Sequence, residues 1–193
     1  MKPSVVRIIT PLCRALLKLG VTPDLMTIFG TLIVVTGSFT LLANGHILAS
    51  IIVLTLALLT DLLDGTMARI SERGPSIWGN FLDSTLDRIS DAAILIGLCL
   101  YLHNIGDSLF VAALITIPLS TLVSYTRAKA ESLNIQCSGG LAERTERLLI
   151  LGFAGVLHLI GFNWAMDAGV WVLLVLTAFT VVQRMAIVWR ATR

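Results

Sequence analysis

Residues 47–69 read ILASIIVLTLALLTDLLDGTMAR, and residues 79–102 read GNFLDSTLDRISDAAILIGLCLYL. Each is a long apolar stretch that carries aspartates towards one end. A helix needs about 20 residues to cross a bilayer, and the charge-free parts are shorter, with 14 residues from Ile47 to Thr60 and 11 from Ala92 to Leu102. Each span must therefore continue into its aspartates, which places carboxylates at or within one leaflet of a membrane.

The rest of the 193-residue chain has the same apolar character. Hydrophobic residues make up 56% of it and charged residues only 13%, which excludes an ordinary soluble domain. We predict an all-α integral membrane protein with a single domain over residues 1–193. It has an interfacial amphipathic helix at about 3–19 and six transmembrane helices, at about 25–43, 47–66, 82–102, 109–128, 146–166 and 168–189.

The positions of the 14 Lys and Arg residues predict the orientation of the chain. With six spans, residues 44–46, 103–108 and 163–167 form the loops on one side, and these loops contain no Lys or Arg. Cations are retained in the short loops on the cytoplasmic side. We therefore expect both termini and the aspartates at the cytoplasmic face of the cell membrane.

Two pairs of aspartates occupy neighbouring spans. Asp61 and Asp64 are three residues apart, and Asp83 and Asp87 are four apart, so each pair projects from one face of its helix. A single aspartate here is more often a helix cap or the partner of a nearby arginine. Four converging carboxylates repel each other unless divalent cations neutralise them, and Mg²⁺ or Mn²⁺ suits oxygen ligands better than Zn²⁺ does. The pattern favours a metal site.

The same residues carry a family resemblance. The pattern DxxDGxxAR over residues 61–69, followed by GxxxDxxxD over residues 79–87, resembles the signature of the CDP-alcohol phosphotransferases and fixes eight positions within 27 residues. Nine residues separate Arg69 from Gly79, whereas the family pattern is usually shorter there. We expect the extra residue to change the shape of the loop more than the metal geometry.

The resemblance implies a homodimer of six-span chains, with a cytoplasm-facing site that displaces CMP from a CDP-linked lipid. It implies two Mg²⁺ ions, or Mn²⁺ as an alternative, with Asp61, Asp64, Asp83 and Asp87 as ligands and Asp87 also as the general base. The positions implied to bind CDP-diacylglycerol are Asp24, Leu25, Met26, Thr27, Gly65, Arg69 and Ser76.

The segment 24–27 has a second interpretation. Pro23, Asp24 and Thr27 are also typical of the first turn of a helix, where they favour the start and the cap. The two interpretations are compatible, and both remain open.

A second set of polar residues lies at the cytoplasmic ends of the last three predicted spans. Juxtamembrane cations usually determine topology or contact lipid headgroups, but five apolar or aromatic residues follow Arg184 before Arg190. Arg184 should therefore face the bundle interior and need an anionic partner. Converging guanidinium groups suggest a pocket for a phosphorylated acceptor.

The stretches SYTRAKAE, ERTERL and QRMAIVW resemble the phosphatidylinositol phosphate synthases of actinobacteria, a branch of the same family. The resemblance implies inositol phosphate as the acceptor and assigns its phosphate to Ser124, Arg127, Arg147 and Arg184. Arg127 stands where Lys is common in these enzymes.

The predicted function is the transfer of the phosphatidyl group of CDP-diacylglycerol to inositol phosphate, giving phosphatidylinositol phosphate and CMP. The predicted partners are these two substrates, membrane lipid and a second copy of the chain, with no nucleic acid. A phosphatidylglycerophosphate synthase using glycerol 3-phosphate is the main alternative, because it shares the acidic motif and also needs a phosphate pocket. A cation transporter is more remote, since the acids cluster towards one face instead of mid-membrane.

Overall fold

The computed structural model describes residues 3–71, 74–137 and 139–193. Within these residues the regular structure is helical. The helices are α1 (Pro3–Lys18), α2 (Pro23–Gly37, continued by a π-helical turn Ser38–Leu42), α3 (Ile47–Ile70), α4 (Ile77–Asn104), α5 (Phe110–Ser132), α6 (Arg144–Leu159) and α7 (Trp164–Ala191). Each predicted helical segment is thus found as a helix.

Four of the described helices are long and apolar enough to cross a bilayer: Pro23–Leu42, Ile47–Ile70, Phe110–Ser132 and Trp164–Ala191. α4 has 28 residues, but its first 15 residues carry three aspartates and Arg88. α6 has only 16 residues, fewer than a perpendicular span requires. The prediction of several membrane-spanning helices is thus confirmed for four helices by length and composition. Six spans and an interfacial position for α1 stay predictions.

The end of α6 differs from the predicted span 146–166. The helix ends at Leu159, and α7 begins at Trp164, before the predicted start at 168. Gly161 lies between them with a φ of +103°, a left-handed conformation that ends a helix and favours glycine. The predicted loop at residues 163–167 thus lies a few residues too late, although Gly161 and Asn163 are both turn-forming residues.

The described residues form two compact units. The first consists of those within Met1–Gly37 and Ile52–Ser90, and the second of those within Ser38–Ile51 and Asp91–Arg193. The single domain over residues 1–193 stays a prediction.

In the first unit, α2 lies very close to α3. A Cβ atom added to Gly30 would overlap the hydroxyl of Thr60, and one added to Gly37 would lie 3.2 Å from Val53 Cγ1. Only glycine permits this approach at position 30. The contact places the start of α2 beside the part of α3 that carries the aspartates.

In the second unit, α7 packs against both α5 and α6. Its buried face includes Leu173, Thr177 and Thr180, and Gly169 lies against the side chain of Ala154 in α6. Thr180 accepts a hydrogen bond at 3.1 Å from the backbone N–H of Ala142, in the segment that precedes α6. This segment is therefore tied to the buried face of α7.

Candidate active site

Three of the predicted metal ligands meet in the first unit. One carboxylate oxygen from each of Asp61, Asp83 and Asp87 lies within 4.8 Å of the other two, and all three residues are half-buried. Asp61 is on α3 and the other two are one turn apart on α4. Because α3 and α4 are joined by a short connection, their facing ends bring the two motifs together. The predicted convergence is present for these three residues.

The chemistry of this cluster fits a divalent cation. Its donors are carboxylate oxygens, which Mg²⁺ and Mn²⁺ prefer. Three carboxylates so close together, away from full solvent, repel each other strongly unless positive charge is present. The cluster can therefore hold a hard divalent ion.

Asp64 is not one of this group of three, although it is close enough to Asp61 and Asp83 to interact with both carboxylates electrostatically. It is buried, and its Oδ2 accepts a hydrogen bond from the Thr27 hydroxyl at 2.7 Å. The bond joins the second aspartate of the signature to the first turn of α2. A role for Asp64 as a metal ligand stays a prediction.

Asp87 has a cationic neighbour on its own helix. Arg88 Nη1 lies 3.8 Å from Asp87 Oδ2 and donates a hydrogen bond to the backbone carbonyl of Ser84 at 2.6 Å. The Arg88 side chain is largely exposed, so solvent screens its interaction with Asp87.

The start of α2 has the geometry of a helix start, whereas contact of the segment 24–27 with the lipid donor stays a prediction. Thr22 Oγ1 accepts a hydrogen bond from the backbone N–H of Leu25 at 3.2 Å, as an N-cap does, and Pro23 is the first helical residue. Asp24 Oδ1 lies 3.3 Å from the point that a Cβ of Gly79 would occupy. The segment therefore starts a helix and also lies beside both signature motifs.

The three remaining positions matched to the lipid donor have different surroundings. Ser76 Oγ accepts a hydrogen bond from the backbone N–H of Gly79 at 2.8 Å, so Ser76 caps α4 while its hydroxyl hydrogen can still donate elsewhere. Gly65 lies within α3, and the nearest group to a Cβ placed there would be Arg69 Nη2 at 3.8 Å. Packing among the described residues therefore does not require glycine at position 65. Helix stability does not favour it either, because glycine weakens a helix by about 1 kcal/mol relative to alanine.

The arginines matched to the acceptor phosphate lie in the second unit and have carboxylate neighbours. Arg147, only 4% exposed, forms an ion pair with Asp91 through Nη2 and donates to the backbone carbonyl of Ala142 at 2.9 Å. Arg144 Nε lies 3.3 Å from the other oxygen of Asp91. Asp91 thus receives two guanidinium groups.

Arg184 is 2% exposed, which confirms that it faces the protein interior. Its Nη2 lies 3.3 Å from Glu143 Oε1, and this carboxylate is the anionic partner that the sequence requires. Arg184 also donates to the backbone carbonyls of Gly139, at 3.3 Å, and of Val123. The guanidinium is therefore held on three sides.

Arg127 shares the carboxylate of Glu143. Its Nη1 lies 4.0 Å from Glu143 Oε1, while its Nε binds Glu131 Oε1 at 2.9 Å. Ser124 lies one helical turn before Arg127 on the same face of α5. The structure thus brings Arg127 and Arg184 to one carboxylate and Arg147 to another.

Sequence reasoning did not assign a role to Asp91 or Glu143. Asp91 follows Asp87 at the helical interval of four, and this spacing signals a shared helix face. Glu143 lies 41 residues before Arg184, and no local pattern joins the two.

Comparisons with known proteins agree with this geometry. The sequence model of the CDP-alcohol phosphatidyltransferase family matches residues 20–189. A phosphatidylinositol phosphate synthase of Mycobacterium bovis is 42% identical over 189 residues, covering 95% of this chain and 86% of that protein.

Two solved structures are also similar. The Mycobacterium tuberculosis phosphatidylinositol phosphate synthase with CDP-DAG bound superposes with a TM-score of 0.89, at 40% identity over 95% of this chain and 94% of that one. The same enzyme with manganese and citrate gives a TM-score of 0.86, at 39% identity over 93% of this chain and 88% of that one. Since the family model, a close relative and the fold agree over almost the whole chain, this protein belongs to the CDP-alcohol phosphatidyltransferase family.

Proposed function

We propose that this protein transfers the phosphatidyl group of CDP-diacylglycerol to inositol phosphate and releases CMP. The observation that carries the proposal is the group of three carboxylates at Asp61, Asp83 and Asp87, in the order and spacing of the family signature. The similar enzyme whose structure contains CDP-DAG supports the lipid donor. The name of the Mycobacterium bovis relative supports the acceptor.

The cluster of aspartates would hold divalent metal ions. We assign two Mg²⁺ ions to Asp61, Asp64, Asp83 and Asp87, with Mn²⁺ as an alternative that the manganese-containing relative supports. When bound, such ions supply positive charge against the diphosphate of the donor and the departing CMP. Asp64 joins this set in the proposal because it is buried one turn from Asp61 and points at the start of α2 through Thr27.

The CDP group lies over the start of α2 and the middle of α3 in this proposal. The contacts are Asp24, Leu25, Met26, Thr27, Gly65, Arg69 and Ser76. The open surface at Gly65 supports a close approach, because among the described residues the nearest group to an added Cβ would be Arg69 Nη2, at 3.8 Å. The Arg69 guanidinium lies over this same surface and would donate to phosphate oxygens.

The chemical step assigned to Asp87 is removal of a proton. The acceptor hydroxyl oxygen forms a bond to the phosphorus that carries diacylglycerol, and the bond between this phosphorus and the oxygen of CMP breaks. Asp87 accepts the hydroxyl proton as a general base. Its half-buried position on α4, within the cluster of three carboxylates, supports this assignment.

The acceptor phosphate is assigned to Ser124, Arg127, Arg147 and Arg184. Guanidinium groups bind phosphate through paired hydrogen bonds, and two of these arginines are buried and held by neighbouring backbone carbonyls. A held guanidinium loses little conformational freedom when a phosphate binds.

The proposal includes the cellular setting. The chain would be a multi-pass homodimer in the cell membrane, with both termini and the active site on the cytoplasmic side. The absence of Lys and Arg from residues 103–108 and 163–167 supports this orientation.

Release of CMP from the purified protein tests the function directly. With CDP-diacylglycerol and Mg²⁺, we expect CMP on addition of inositol phosphate and little on addition of glycerol 3-phosphate. Release with glycerol 3-phosphate alone would instead identify a phosphatidylglycerophosphate synthase. Metal uptake into sealed vesicles with no CMP release under either condition would favour the transporter.

A further inference from the structure

The carboxylate of Glu143 occupies the position between two of the arginines assigned to the acceptor. Its Oε1 lies 3.3 Å from Arg184 Nη2 and 4.0 Å from Arg127 Nη1. A carboxylate oxygen here is chemically similar to one oxygen of a phosphate, since both accept hydrogen bonds from guanidinium groups. The protein thus places one of its own anions beside Arg127 and Arg184.

The two sides of this contact differ in their freedom to move. Arg184 is 2% exposed and is also held by the carbonyl groups of Gly139 and Val123. The Glu143 side chain is 37% exposed, and it makes no hydrogen bond to the first-turn amides of α6, although Glu143 is the N-cap residue of that helix. When an anion enters, the carboxylate can therefore move into water while the guanidinium stays in place.

A phosphate has the charge needed to displace this carboxylate. A phosphate monoester carries about −1.5 to −2 charges at pH 7, whereas the carboxylate carries one. The two anions repel each other if they share the same guanidinium groups. An acceptor without a phosphate gains nothing from displacing Glu143.

We propose that Glu143 is a specificity-determining residue that competes with the acceptor phosphate for Arg127 and Arg184. The inference rests on the proposed function only in taking these two arginines as part of the acceptor site. Glu143 lowers the affinity for every phosphate-bearing acceptor and leaves the affinity for uncharged polyols unaffected. It therefore raises the charge that a molecule must carry to enter the site.

The sign of one substitution separates this role from a supporting one. Glu143→Gln keeps the size of the side chain and removes its charge, so we expect the affinity for inositol phosphate and for inorganic phosphate to rise about three- to tenfold. Binding of uncharged myo-inositol should not change. If Glu143 served to orient Arg184 for the phosphate, the same substitution would weaken binding.

Glu131→Gln is the matched control. It removes the same charge from the other carboxylate beside Arg127, at 2.9 Å, in an exposed pair one helical turn apart. Because exposed pairs of this type contribute little, we expect a change below about twofold. A second variant, Glu143→Ala, should also strengthen phosphate binding, and circular dichroism and gel filtration in detergent establish that each variant is folded.

Calorimetric titration of the full-length protein in detergent, with inorganic phosphate and then inositol phosphate, measures these affinities without turnover. Unchanged or weaker phosphate binding in folded Glu143→Gln or Glu143→Ala would overturn the inference. If CMP release in the wild type depends on inositol phosphate while these affinities do not move, the proposed function stands and the role of Glu143 fails. If phosphate binding strengthens but no acceptor supports CMP release, the proposed function fails and the competition remains.

Discussion

The acidic cluster (Asp61, Asp83 and Asp87) and the basic cluster (Arg147 and Arg184, with their carboxylate partners) differ in composition. In the first unit, three carboxylates from two consecutive helices bring their oxygens within 4.8 Å of one another, which concentrates negative charge. In the second unit, Arg147 and Arg184 each already contact a carboxylate from the same unit. The acidic cluster can thus hold a divalent cation, whereas the proposed phosphate site is built from arginines that already have protein carboxylates as partners.

Removing the proposed base should have the largest effect on activity. We expect Asp87→Asn to lower kcat for CMP release by about 10³-fold or more, since it removes a general base and a proposed metal ligand together. The matched control is Asp167→Asn, an exposed aspartate in the first turn of α7, which should retain activity. Near-normal turnover in Asp87→Asn would exclude this residue as the general base and would contradict a catalytic role for the acidic cluster.

The basic cluster should respond to truncation through stability as well as through binding. Arg147→Ala leaves Asp91 without its most buried partner, so we expect a loss of about 3–5 kcal/mol of unfolding free energy together with a higher KM for the acceptor. The double variant Arg147→Met with Asp91→Leu should recover much of the stability and none of the acceptor affinity. Thermal unfolding in detergent measures the first quantity, and acceptor titration of CMP release measures the second.

The close approach of α2 to α3 should contribute less to the free energy of unfolding, and its loss should affect only the unit that contains the three carboxylates. Gly30→Ala places a methyl group on the Thr60 hydroxyl, and we expect a loss of about 1–3 kcal/mol from overpacking. Adding Thr60→Ala removes the overlapping oxygen and should restore part of the loss. Gly152→Ala, in α6, is the control and should be neutral or slightly stabilising, because no atom of the described residues lies within 4 Å of the added methyl. Equal melting temperatures for Gly30→Ala and the wild type would contradict the close contact.

The smallest expected effect is at Gly65. Gly65→Ala should leave stability unchanged or raise it by up to about 1 kcal/mol, because α3 is helical there and its nearest neighbour would be 3.8 Å away. We expect the KM for CDP-diacylglycerol to rise, since the methyl group fills the surface assigned to the donor. A variant that is destabilised, with an unaltered KM, would show that glycine serves packing at this position.

Local spacing explains why the acidic cluster was predictable. Asp83 and Asp87 share a helix face because they are four residues apart, and the apolar runs were too short to span a membrane without Asp61 and Asp83. The bond from Thr27 to Asp64 could not be predicted, because 37 residues separate the two. The same holds for Glu143, whose contact with Arg184 depends on how the segment before α6 crosses α7.

The fold shows the same division between local and distant information. The apolar runs predicted each helix, and Pro23, which the sequence places in a first turn, is the first residue of α2. The turn between α6 and α7 was predicted at residues 163–167 and lies instead around Gly161, and the π-helical turn Ser38–Leu42 was not predicted. The π-helical turn lies within apolar sequence, where hydropathy is equally compatible with an uninterrupted α-helix.

The buried guanidinium of Arg184 also bears on how the chain enters the bilayer during translation. An arginine within a membrane-spanning helix costs a few kcal/mol when that helix inserts alone. The groups that receive Arg184 are Val123, Gly139 and Glu143, and all three are synthesised before it. The partners of Arg184 are therefore already synthesised when α7 leaves the ribosome. Contact with the carboxylate of Glu143 and the two carbonyl groups can then offset the cost of placing Arg184 in the membrane.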